Sequence, residues 1–95
     1  MSIFDSFRVG HRVLLARTGP AFGSEEAAKA VEQFQGLDGV RAHQAGFEGT
    51  LKDRNLEIGS QGIVRKVYTS GYAEVEFENG TSLDVPMGLL DLVQQ

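Results

Sequence analysis

The chain has no cysteine and no tryptophan, only two prolines, and no basic residue after Lys66. Without cysteine, disulfides, thiolate zinc centres and a cysteine nucleophile are excluded together, and a reducing, cytoplasmic compartment is the expectation. No stretch approaches the ~20 consecutive apolar residues that a membrane-spanning helix requires. The opening segment MSIFDSFRVGHRVLL scatters Asp5, Arg8 and Arg12 among its apolar residues, which is not the pattern of a secretory signal. With no such signal, Asn79-Gly80-Thr81 reads as a turn, although it fits the glycosylation acceptor pattern.

What is present points to one small domain spanning residues 1–95. Its 41% apolar and 23% charged content supports a packed core and argues against wholesale disorder. The net charge of −4 is unevenly placed. Residues 1–17 carry Arg8, Arg12 and Arg17 against Asp5, and residues 51–66 carry Lys52, Arg54, Arg65 and Lys66 against Asp53 and Glu57. Residues 67–95 carry five acids and no base. Affinity for a phosphate backbone is disfavoured overall, while a local basic patch survives.

Val9 to Arg17 reads as a first strand, with Val13 and Leu15 on its buried face, ending at the breaker Thr18-Gly19-Pro20. Phe4 to Phe7 before it has the makings of an apolar cap. Ser24 to Gly36 is the clearest helix. Ser24 is placed as its N-cap, Glu25 and Glu26 sit at the positive end of its dipole, and Gly36 at the left-handed closing position. Ala27, Ala30, Val31 and Phe34 form one stripe, expected to pack lightly on the sheet, and Glu25 and Lys29 are spaced to pair. From Leu37 to Leu56 periodicity fades. A short turn or strand is expected near Val40 to Gln44, and Leu51, Leu56 and Ile58 are expected to re-enter the core. So long a connection is functional or mobile by the usual statistics of loops.

The stretch Gly59 to Val93 organises the remainder. Ile63 to Tyr68 and Tyr72 to Phe77 are joined by Thr69-Ser70-Gly71, and Asn79-Gly80, the favoured centre of a type I′ hairpin, leads into Ser82 to Val85. A short helical turn and a last strand follow. Ala73, Val75, Phe77, Leu83 and Val85 face the core. Tyr72, Glu74, Glu76 and Glu78 face away, with Arg65 or Lys66 across the strand to answer the acids.

Few chemical constellations emerge. Parallel carboxylates on one strand do not converge as a cation site requires, so no metal is expected. His11 and His43, without further ligands, make neither a zinc centre nor a catalytic triad. Gly36/Gly39 and Gly46/Gly49 lack the surroundings of a dinucleotide fingerprint. The one place where aromatics and bases interleave is Arg65, Lys66, Tyr68 and Tyr72, a pattern shared by single-strand nucleic-acid patches, peptide grooves and ordinary hairpin packing.

The sequence Gly59-x-x-Gly62-x-Val64-x-x-Val67, then Ala73-x-Val75-x-Phe77, Asn79-Gly80 and Val85-Pro86-x-x-x-Leu90, resembles KOW-type SH3-like barrels of ribosomal and transcription proteins. It resembles still more closely a group of small, uncharacterised bacterial SH3-like domains. The resemblance implies a mainly β, five-stranded SH3-like barrel. The helix inserted between strands 1 and 2, within residues 18–56, has no counterpart in either group. The KOW likeness implies RNA contacts at Arg65 and Lys66. A weaker likeness, to plasmid-type dihydrofolate reductases, implies an oligomeric pore enzyme, but the corresponding strand reads Ser82-Leu83-Asp84-Val85 and the pore residues do not carry over. The expectation is therefore a non-enzymatic binding or regulatory module without cofactor. It grips a protein partner through the inserted segment and the neighbouring hairpin, with Arg12, Arg65, Lys66, Tyr68, Tyr72, His43 and Phe47 as candidate contacts. RNA or ribosome binding is the alternative, and self-association is left open.

Overall fold

The computed structural model describes residues 7–93. Its core element is a five-stranded antiparallel sheet in the order β4-β3-β2-β1-β5, with β1 Arg12–Leu15, β2 Gln61–Val67, β3 Tyr72–Phe77, β4 Ser82–Pro86 and β5 Leu90–Leu92. A single helical element, α1 Glu25–Asp53, lies between β1 and β2, the position expected from the sequence. β4 and β5 form the two edges, and no ladder joins them, so the sheet is not closed by strand pairing into a barrel.

Strand alternation sets the core. Val13 and Leu15 of β1, Val64 of β2, Ala73 and Val75 of β3 and Val85 of β4 are all completely buried. Leu83 is partly buried against the same cluster. The first strand is shorter than expected because Gly10, at φ 93°, turns the chain just before it. Val9 is left largely exposed, while Phe7 is buried in the core. Phe4, the other aromatic of the expected cap, lies outside the described residues. A 3-10 turn, Met87–Leu89, delivers Met87, Leu89 and Leu90 into the core before β5 pairs with β1.

Both hairpins use a three-residue loop with one glycine at positive φ. In the first, Gly71 (φ 94°) donates to the Tyr68 carbonyl while Tyr68 donates to Tyr72; in the second, Gly80 (φ 88°) donates to Phe77 while Phe77 donates to Thr81. The expected type I′ turn is therefore corrected. Asn79 does not take positive φ, and one left-handed glycine closing a G1-type bulge does the work of two such residues. Asn79 instead spends its carboxamide on tertiary contacts. It donates to the carbonyls of Arg54 and Asn55 at 3.1 and 3.3 Å and accepts from the Thr81 amide at 3.0 Å. The hairpin is thereby tied to the end of α1.

The helix departs furthest from expectation. Ser24 caps it as read, in extended conformation and accepting from the Ala27 amide at 3.1 Å, and Glu25 meets Lys29 at 3.5 Å. Gly36 does break the helix, at φ 66° and ψ −164°, a region open essentially to glycine alone. The chain does not leave helical structure there, however. It re-enters at once and runs to Asp53, so the aperiodic third of the sequence is a helical arm in place of the expected loop. Val40, Gln44, Phe47 and Leu51 recur at i, i+4, i+7 and i+11 along it, and Phe47 and Leu51 pack into the core. The arm before Gly36 behaves in the opposite way. Its stripe is not laid on the sheet: Ala27 and Ala30 are exposed, Val31 is half-buried and Phe34 is 82% exposed. Ile58, expected in the core, is also exposed.

Candidate functional site

The sequence-nominated residues fall into three places. On β2 the pairing register slips between Val64 and Lys66. This bulge leaves both Arg65 and Lys66 exposed where strict alternation would turn one inward. Arg65 is held by Glu76 across the ladder, with Nε to Oε2 at 2.8 Å and a second nitrogen at 2.7 Å. Lys66 lies over the Tyr68 ring, its ammonium 5.0 Å from the centroid, in cation–π contact. Partial burial, followed by the nearby Asp84 and Glu74 carboxylates, pushes the Tyr68 hydroxyl above the ordinary phenol value. Arg12, on β1, is bound to Glu78 at 3.0 Å. Two of the three candidate contact bases, Arg12 and Arg65, are thus already answered by carboxylates, and the face is of mixed charge.

Tyr72 stands elsewhere. It is half-buried, and its ring fills the space where a Cβ on Gly23 would lie, so the segment preceding α1 is laid directly across the root of the first hairpin. His43 and Phe47 occupy the second arm of α1. His43 is exposed with its ring tilted 35° against Phe22, centroids 4.5 Å apart, and Phe47 is partly buried against the core. His11 accepts from the Arg8 amide at 3.3 Å in the turn leading to β1, a structural role. Among the described residues no group of three His, Asp or Glu side chains is placed to hold a metal ion. No helix among them is long and apolar enough to cross a membrane.

A space that brings the inserted segment and the hairpin together was not read from the sequence. It is an open groove of about 950 Å³, lined on one side by Pro20, Phe22, Gly23, Ser24 and the first turns of α1, through Glu25, Glu26 and Ala28. Thr69 and Ser70 of the first hairpin turn and Gly88 of the 3-10 turn form the other side. Thr18-Gly19-Pro20 reads in sequence as a breaker, but in the fold it begins a strap. Thr18 and Gln44 both donate to Glu48, at 3.0 and 3.1 Å, and the Gln44 carboxamide occupies the space beside Gly19. The second arm of α1 thereby holds the strap in place. The available signal was small residues at 19 and 23, which allow the close approach of Gln44 and Tyr72. A smaller groove of about 440 Å³ lies beside Asn55, Gly59 and Asn79.

No family model and no curated protein matches the chain.

Proposed function

We propose that the protein is a non-enzymatic binding module of SH3-like strand arrangement, and that it takes an extended segment of a protein partner into the groove between the inserted segment and the first hairpin. The carrying observation is the groove itself, which has the inserted strap and helix as one wall and the hairpin turn as the other. Its chemistry favours a segment bearing an apolar anchor and basic residues. Pro20 and Ala28 offer apolar surface beside the largely buried Phe22, Gly88 leaves backbone open to close approach, and Glu25 and Glu26 place carboxylates at the rim. A peptide recognised in this way gains specificity from the anchor and orientation from the charges. The cysteine-free composition supports a cytoplasmic setting.

A panel of short peptides tests this reading. Wild-type protein should retain peptides combining Leu or Phe with Lys or Arg, and both Glu26→Lys and Ser70→Arg should release them while leaving the circular dichroism spectrum unchanged. Equal retention of acidic peptides, or retention unaffected by both variants, would overturn it.

A further inference from the structure

We infer that the first arm of α1 is a self-association surface, on which two copies of this chain pair as antiparallel helices. This surface lies on the same arm as the groove and shares only Glu26 with it. Phe34 is 82% exposed and Leu37, just past the break, 65% exposed, while Ala27 and Ala30 beside them are also open. Ala27, Ala30 and Phe34 form an apolar stripe with half-buried Val31, and Leu37 adds open apolar surface just past the break. Isolated apolar residues on a surface are ordinary, but a helical stripe ending in an open phenylalanine and leucine marks an interaction surface.

The order of sizes along the stripe selects the occupant. If a second copy is laid antiparallel about a point between Ala30 and Val31, Phe34 of each copy falls opposite Ala27 of the other. Each large side chain then meets a small one at both ends, and the two Ala30 and two Val31 side chains meet at the centre, where small residues permit close approach. This is the self-complementarity that a two-fold interface requires. A parallel pairing would instead set Phe34 against Phe34 and leave Ala27 facing Ala27 across a gap. Charge agrees with the antiparallel arrangement. Glu25, Lys29 and Glu32 fall on the reverse side of the helix at 100° per residue. Glu26 alone borders the seam, level with Gln35 of the second copy, so no like charges face each other.

The area sets the strength. An arm of this length is ~16 Å long, and two phenylalanines bury ~150–250 Å² each. With the valines, leucines and alanines added, the contact stands near or below the ~1,200 Å² at which standard interfaces begin. The dimer is accordingly weak and reversible, with a dissociation constant in the micromolar range.

Sedimentation equilibrium of the full chain across micromolar concentrations should show a monomer–dimer equilibrium, and Phe34→Glu should raise the dissociation constant by at least ~30-fold, as for an aromatic hot spot. Because the chain has no cysteine, single cysteines report the alignment. Ala30→Cys, next to the two-fold axis, should form an intermolecular disulfide readily. Ala27→Cys should not, since the two copies of residue 27 stand ~10 Å apart along the axis, beyond disulfide reach. A wild-type monomer at all concentrations would overturn the inference, as would a dimer insensitive to Phe34→Glu or equal cross-linking at both positions. A monomer whose melting temperature falls with Phe34→Glu would show that the chain covers its own stripe, and would overturn it equally.

Discussion

At the scale of single residues, the fold depends on a few side chains whose surroundings differ from what their sequence neighbours imply. Tyr68 is one. Burial and the carboxylates of Asp84 and Glu74 disfavour its phenolate. In a Tyr72→Phe background it is the only tyrosine, so its ultraviolet titration can be followed alone. The midpoint should lie above the ordinary phenol value, and Asp84→Asn should lower it. The linkage to stability follows the same sign. Below the ordinary phenol value both folded and unfolded chains hold the proton and Tyr68 contributes nothing. Above it the unfolded chain ionises first, so stability falls as pH rises through the interval up to the folded-state value, and Tyr68→Phe should remove that loss. Gly62 is another such residue. A Cβ there would lie 2.6 Å from the Glu76 carbonyl and 2.7 Å from Val75, so the glycine of the Gly59-x-x-Gly62 motif is required by the close approach of β3.

At the scale of elements, the helix is two arms with different roles. The second arm has no continuous apolar pattern in sequence because Gly39, Gly46 and Gly49 interrupt it, each costing ~1 kcal/mol against alanine within a helix. Its helicity is sustained by tertiary burial of Phe47 and Leu51 and by the Thr18–Glu48–Gln44 contacts. The first arm has the better local helix signals and the fewer contacts with the sheet. Propensity and packing are thus separated between the two arms, as expected when most helical stability comes from the buried face. Urea denaturation should reflect the difference. Leu51→Ala, at 3% exposure, should cost ~2–5 kcal/mol, whereas Phe34→Ala should change the stability of the monomer by less than ~0.5 kcal/mol.

At the scale of the whole molecule, charge placement decides which partners are favoured. Four of the nine bases are held in ion pairs. Arg12, Arg17, Lys29 and Arg65 each meet a carboxylate at 3.5 Å or less, and β3 and β4 add Glu74 and Asp84 beside Lys66 and Tyr68. Against single-stranded RNA the expected outcome of a gel-shift titration is no retarded band even at low salt. A band that weakens steeply as salt rises would instead reveal phosphate contacts.

The strands, their inward faces, the Ser24 cap and the break at Gly36 were all legible in the sequence, because each is a local matter of alternation, capping or glycine geometry within a few residues. What the sequence could not decide was set by contacts between distant segments. Burial of Phe47 and Leu51 turned an aperiodic, glycine-rich stretch into helix, while Ala27, Ala30 and Phe34, equally apolar and better patterned, were left in solvent because no strand lies beneath them. Asn79 gave up the expected turn geometry for the carbonyls of Arg54 and Asn55, residues far from it in the chain. The strap that walls the groove meets the hairpin where Gly23 lies against Tyr72 across the fold. Periodicity records which residues can be buried together; which of them are buried depends on what the rest of the chain brings against them.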